Sequence, residues 1–191
     1  KMPLGMGNVI SNGFYEAFSS SGGDDIIITL EGCKSYSRQL LKDFLQEIKD
    51  QDIVLASRYK SPGSYVNFPL FRKVFSKALN FLLRIKFPLP GVSDYTIFLR
   101  AYRMSVVKEA FKYFGCFGFI QSRGFVSNVE LLIKLSLFTK RIKEVPFVYD
   151  LKKNGLRYRI KTLQTANEYF VLASYLKRIF KKVSRLNKEE N

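Results

Sequence analysis

Hydrophobic positions along the chain alternate between helical spacing and short continuous runs, and the changes mark its elements. Over residues 5–18, Val9, Ile10, Phe14 and Ala17 recur near helical spacing. A Ser/Gly/Asp loop at 19–25 leads into Ile26-Ile27-Ile28-Thr29-Leu30, a continuous apolar run that predicts a buried, parallel-type strand. Ser37 starts a helix carrying Leu40, Leu41, Phe44, Leu45 and Ile48, and Asp52 turns the chain into a second strand, Ile53-Val54-Leu55-Ala56. Strand, helix, strand predicts a right-handed βαβ crossover.

The second half continues the alternation. Residues 60–69 read as a loop around Ser61-Pro62-Gly63-Ser64. A helix with Phe71, Val74, Phe75, Ala78, Leu79, Leu82 and Leu83 follows, and Pro88-Leu89-Pro90-Gly91 breaks it. Residues 94–103 form a short irregular or strand segment, and helices are expected over 104–114 and 127–137, the latter with Ser127 or Asn128 able to cap it. Residues 142–149 look like a strand in which Pro146 favours an edge position or a bulge. The stretch 163–186 is helical, apolar on one side and rich in Lys and Arg on the other. There is no internal repeat and no low-complexity tract.

Composition sharpens this picture. A chain of 191 residues with 47% hydrophobic and 15% aromatic content folds around a real core. It carries 32 Lys+Arg against 16 Asp+Glu, a net charge of +16, which implies an anionic partner: nucleic acid, an anionic membrane or a phosphorylated ligand. Residues 140–191 hold 14 basic and 5 acidic side chains, so more than half of the excess lies in the last quarter. The absence of histidine excludes His-based catalysis, His-ligated metals and serine triads of the usual form. Cys33 and Cys116 make neither a disulfide framework nor a zinc site, and a reducing compartment is the default expectation. No apolar run reaches about 18 residues, so no transmembrane helix is expected, and no signal peptide is visible. Lys1 precedes Met2, and the first residues resemble a phosphate-loop-to-helix junction, which suggests a piece of a longer chain.

Candidate chemistry gathers at strand ends, where open α/β sheets bind ligands. Glu31-Gly32-Cys33 follows the first strand, and a carboxylate there can hold a divalent metal beside a phosphate. Arg58 lies just past the second strand. Arg72 and Ser76 stand one helical turn apart and face the same way. The order of these and other motifs resembles the family 2 glycosyltransferases of the polyprenyl-phosphate (dolichyl-phosphate) mannose or glucose synthase type. The motifs are Gly5-Met6-Gly7-Asn8-Val9-Ile10 with Gly13, Asp25 to Cys33, Ser57-Arg58-Tyr59, and Arg72 with Ser76 and Asn80. They continue with Asp94-Tyr95-Thr96 followed by Phe98 and Arg100, Gly124-Phe125 with Asn128 and Glu130, and Glu144-Val145-Pro146 with Gly155. The resemblance covers roughly residues 5–165.

The resemblance implies a GT-A fold, a Rossmann-like α/β domain that is N-terminally incomplete here, since its first strands would precede Lys1. Residues 1–160 would form the later part of the catalytic domain and 161–191 a basic amphipathic helical tail. The implied reaction moves a sugar, with inversion, from a nucleotide-diphosphate donor to a polyprenyl or dolichyl phosphate on the cytoplasmic face of a membrane. Arg58, Arg72 and Ser76 would clamp the acceptor phosphate, Asp94 would orient the sugar or act as base, and Arg157 and Arg159 would bind the donor diphosphate. Glu31 would hold Mg²⁺ or Mn²⁺, and Glu130 would reach the edge of the site. Two positions depart from the family pattern: Cys33 replaces a second carboxylate, and Ile97-Phe98 or Phe98-Leu99 stands where Ser-Gly is expected.

Plain structural roles stand beside each of these. The arginines can belong to a general basic surface, Asp94 to a turn, Glu130 to a solvated helix face and Cys33 to packing. The basic helix is either an anchor on an anionic membrane surface or a helix packed on the domain. The rival functions are a non-catalytic relative with a degenerate metal motif and a basic nucleic-acid-binding domain. No nucleic-acid motif appears, so nucleic acid is not expected as a partner.

Overall fold

The computed structural model of the chain describes residues 5–31, 36–152 and 162–189, and the side chains of the last helix from 167 to 181. Four strands form one sheet in the order β1 (Ile26–Thr29), β4 (Arg100–Arg103), β2 (Ile53–Ser57), β5 (Ile142–Pro146). β4 runs antiparallel to both β1 and β2, and β2 and β5 are parallel. The first and second strands therefore do run in the same direction, as the strand–helix–strand pattern requires. They are separated by β4, which enters the sheet from much later in the chain.

This insertion corrects the expectation for β1, which among the described residues is an antiparallel edge strand, with Ile26 exposed and the other three side chains half-buried, rather than a buried parallel one. The fully buried position belongs to β2, whose five residues are all covered. β5 is the opposite edge, the place where Pro146 is tolerated because its missing N–H costs no ladder bond.

Helices cover both faces of the sheet. Successive β4 residues point to opposite sides: the Tyr102 ring meets Phe14 of α1 (Met6–Ser20), while the Arg103 guanidinium donates to the Ile48 carbonyl at the end of α2 (Arg38–Glu47). Ser37 caps α2 as expected, its hydroxyl accepting from the Leu40 N–H at 3.1 Å. α4 (Met104–Phe119) and α5 (Ser127–Leu135) pack with α1, and α6 (Thr162–Glu189) packs on α5 and α3 (Leu70–Lys86). α5 is not capped by Ser127 or Asn128. Val126 holds that position, and the Ser127 hydroxyl instead donates to the Gly124 carbonyl.

Two further findings depart from the sequence pattern. Within 60–69, β3 (Ser64–Val66) pairs in parallel with β6 (Val148–Asp150); three-residue strands are too short to show a period. The apolar residues of α3 do not enter the core, apart from buried Leu83 and partly buried Leu79. Leu70, Phe71, Val74, Phe81, Leu82 and Ile85 are 57 to 76% exposed. In the described part of α6, Tyr169, Leu172, Ala173 and Leu176 are buried in the common core, so that face packs on the domain.

Candidate active site

β2 ends at Ser57, and the next residue, Arg58, is turned into a buried polar network. The Asp94 carboxylate, itself fully buried, accepts from Arg58 Nε at 2.7 Å, from Nη2 at 2.5 Å and from the Arg58 backbone N–H at 3.1 Å. Arg58 Nη2 also donates to the Thr96 hydroxyl at 2.7 Å. The guanidinium lies 5.0 Å from the Tyr65 ring centre, 5.8 Å from Tyr59 and 5.9 Å from Tyr149. Burial opposes its charge, but the carboxylate and its hydrogen bonds outweigh burial, so the pKa of Arg58 is raised and the group stays charged. Nη1 has no partner among the described residues and is left for a ligand.

A second carboxylate sets the first. Buried Glu144, on β5, accepts from the Ser93 N–H at 2.7 Å, the Ser93 hydroxyl at 2.6 Å and the Asp94 N–H at 2.7 Å. Arg100 ties the same loop to α5, donating to the Tyr95 and Asn128 carbonyls at 2.6 Å each. Asn128 donates to the Thr96 and Ile97 carbonyls. On the other side, the hydroxyls of Tyr59, Tyr65 and Ser76 form a closed triangle with edges of 2.8 to 2.9 Å, and Asn80 donates to the Tyr59 and Thr96 hydroxyls. Burial raises the pKa of Tyr65, so it remains a neutral donor.

Part of this network, Arg58, Ser76, Thr96, Asn128 and Tyr149, borders a cavity of about 440 Å³. Glu31 and Arg72 add to its polar lining, while most of the wall is apolar and aromatic, including Phe68, Phe71, Phe75, Phe98 and Phe125. Phe98 thus occupies the place where the resemblance expects a small residue. Burial raises the pKa of Glu31, and the Arg58 charge offsets part of that rise. Among the described residues, no group of three His, Cys, Asp or Glu side chains is placed to hold a metal.

The structure thus brings four of the sequence-derived candidates, Glu31, Arg58, Arg72 and Ser76, to one cavity. Asp94 sits beneath Arg58 with its carboxylate occupied, outside the cavity wall. Glu130 is not at the cavity: it is fully buried, paired with Lys134 at 2.5 Å, and accepts from the Gln121 and Ser122 N–H groups. Cys33, Arg157 and Arg159 lie outside the described residues. Tyr65 and Tyr149 escaped the sequence reading altogether. Asn80 and Glu144 appeared there only as motif members, and the signal that marks them is a polar residue in an otherwise apolar helix or strand.

Comparison with known proteins gives the following. No family model matches the chain. It is 28% identical to an undecaprenyl-phosphate mannosyltransferase of Micrococcus luteus, over 79% of this chain and 59% of that protein. It is 27% identical to a dolichol-phosphate mannosyltransferase of Pyrococcus furiosus, over 79% of this chain and 39% of that protein. The aligned part thus spans less than two thirds of either relative. The mixed α/β sheet with its parallel β2–β5 pair is compatible with the GT-A-like fold these names imply. Two relatives whose names agree with the motif order make the chain family 2 glycosyltransferase-like, related to the polyprenyl-phosphate and dolichol-phosphate mannosyltransferases.

Proposed function

We propose that the chain forms the acceptor side of a glycosyltransferase that moves a mannose- or glucose-type sugar from a nucleotide-diphosphate donor to a polyprenyl or dolichyl phosphate. One observation carries this reading. The cavity that joins Arg58, Arg72 and Ser76 to an aromatic wall is bordered by α3, a helix most of whose apolar residues are exposed. An exposed stripe of Leu70, Phe71, Val74, Phe81, Leu82 and Ile85, accompanied by Arg72, Lys73, Lys77, Arg84 and Lys86, has the composition of a helix lying in an anionic membrane interface. A phosphate with a long hydrocarbon chain needs this combination: cations for the head, apolar surface for the tail, and a lipid phase within reach. Among the described residues no helix is long and apolar enough to cross a membrane, and the proposed association is peripheral, at the cytoplasmic face.

In this reading the acceptor phosphate oxygen forms the new bond to the anomeric carbon while the bond from that carbon to the donor diphosphate breaks, with inversion. The second pKa of a phosphate monoester is about 6, so the nucleophile is already anionic and needs no strong base. Asp94 accordingly orients Arg58 and does not move a proton. Arg72 and the free Nη1 of Arg58 hold the phosphate in place, and Ser76, fixed by Tyr59 and Tyr65, borders it. Glu31 would hold Mg²⁺ or Mn²⁺, whose remaining ligands must come from donor diphosphate and water, and the ion would neutralise the leaving group. Arg157 and Arg159 are proposed for the same diphosphate.

The test is transfer from GDP-mannose or UDP-glucose to undecaprenyl phosphate with Mn²⁺, followed as lipid-linked sugar. Product formation that is lost in Arg72→Ala supports the reading. If the chain yields no product and Cys33→Asp restores none, the non-catalytic relative gains ground, a reading that the closed Arg58–Asp94 pair also suits.

A further inference from the structure

Helix α1 serves two separate places. Met6, Val9 and Ile10 line the apolar cavity, whereas Asn8, Ser11, Asn12 and Tyr15 form one wall of a polar cleft of about 530 Å³. Gln121 and Arg123 form the facing wall, with Phe117 at the rim.

The cleft is rigidly built. The Gly7 N–H donates to the Arg123 carbonyl at 3.1 Å. A Cβ at Gly7 would stand 1.7 Å from the Ser122 carbonyl oxygen, and one at Gly5 would stand 2.6 Å from the Arg123 oxygen, so glycine is what allows the close approach. From behind, the Glu130 carboxylate accepts from the Gln121 N–H at 3.1 Å and the Ser122 N–H at 2.8 Å. Lys134 neutralises Glu130 and also donates to the Gly118 carbonyl at 2.7 Å. A buried ion pair and two glycines thus hold the 118–123 strip against α1.

The polar side chains of this cleft are unused. The amides of Asn8, Asn12 and Gln121, the Ser11 hydroxyl and the Arg123 guanidinium have no partner among the described residues. No described carboxylate lines the cleft, which disfavours a divalent cation, and a single guanidinium is a weak lining for a polyanion. Carboxamides both donate and accept, as neighbouring sugar hydroxyls do. Asn8 and Asn12 repeat at one helical turn with Ser11 beside them. A pyranose also has an apolar C–H face, and Phe117 offers it a ring: α4 departs from helical geometry at Gly115 (φ 67°), and Phe117, two residues on, is 96% exposed. Among the described residues no contact covers this ring, and a ligand lying on it would remove apolar surface from water.

We propose that this cleft is a saccharide-binding site for a pyranoside, distinct from the lipid-phosphate cavity and independent of the transfer reading. The test is a ¹⁵N–¹H NMR titration of the chain with methyl α-mannopyranoside and methyl α-glucopyranoside, with inorganic phosphate as the rival ligand. The expected result is saturable shifts of the Asn8, Asn12 and Gln121 side-chain amides with at least one glycoside, at a Kd on the order of 1–10 mM. Asn12→Ala and Phe117→Ala each weaken binding about fivefold or more, the loss of one good contact. Their unchanged melting temperatures show that the loss is not unfolding. The proposal fails if no glycoside gives saturable shifts, if phosphate alone moves these amides, or if both cleft variants bind like the parent.

Discussion

Asp94, a catalytic candidate in the sequence, has its carboxylate engaged by Arg58 in space. Asp94 is fully buried and its charge is balanced by Arg58, so Asp94→Asn strands a buried cation. Chemical denaturation should show a loss on the order of 3–5 kcal/mol, and a loss below about 1 kcal/mol would mean the pair is not closed in solution. Glu31 gives a prediction with the opposite sign. Its folded pKa is raised above the ordinary 4.5, chiefly by burial. The folded state therefore binds the proton more tightly than the unfolded state, and stability falls as pH rises from near 4.5 through the folded value. Well below 4.5 the carboxyl is neutral in both states and costs nothing; above 4.5 the cost grows as pH rises towards and through the folded value. Glu31→Gln should raise the melting temperature at pH 7 and leave it nearly unchanged at pH 4, and an equal shift at both values would contradict the assignment. Strand ends and one-turn spacing are local facts, so the sequence could single out Arg58, Arg72 and Ser76, which border one cavity. It did not reveal that Asp94 closes on Arg58 across 36 residues, nor that Glu144 reaches back from β5 to set Asp94.

At the scale of elements, two glycines of α1 make opposite predictions. Gly7→Ala drives a Cβ into the Ser122 carbonyl and should cost several kcal/mol or abolish folding, since backbone must move. Gly13, in the same helix, has nothing within 4 Å of a Cβ, and Gly13→Ala should stabilise by about 0.5–1 kcal/mol through helix propensity. Thermal or urea unfolding of the two variants checks both signs. For α3, Phe71→Ser with Phe81→Ser should reduce co-sedimentation with anionic vesicles while leaving the fold intact, because both rings are exposed; undiminished vesicle binding would remove α3 from the membrane face. Helical spacing in the sequence named Phe71, Val74 and Leu82 of this stripe but not Leu70, Phe81 or Ile85. It could not say what the stripe faces, because a core and a lipid interface ask for the same side chains. The β3–β6 pair and the edge position of β1 were illegible for another reason: strand order depends on β4, which is contributed some 70 residues after β1.

For the whole molecule, a net charge of +16 makes attraction to any anionic surface expected, so membrane binding alone says little about function. The informative feature is the union of an aromatic cavity, the Arg58–Asp94 support, Arg72 and Ser76 at one side of α3. The motif order in the sequence points to this family resemblance, and the chain's relation to two polyprenyl-type mannosyltransferases agrees with it. The most direct test compares vesicle co-sedimentation for phosphatidylcholine carrying a small fraction of undecaprenyl phosphate and for phosphatidylcholine carrying phosphatidylglycerol at equal charge. The account predicts tighter binding to the undecaprenyl-phosphate vesicles, with the difference lost in Arg72→Ala; equal binding to the two, or a preference that Arg72→Ala does not disturb, would contradict it.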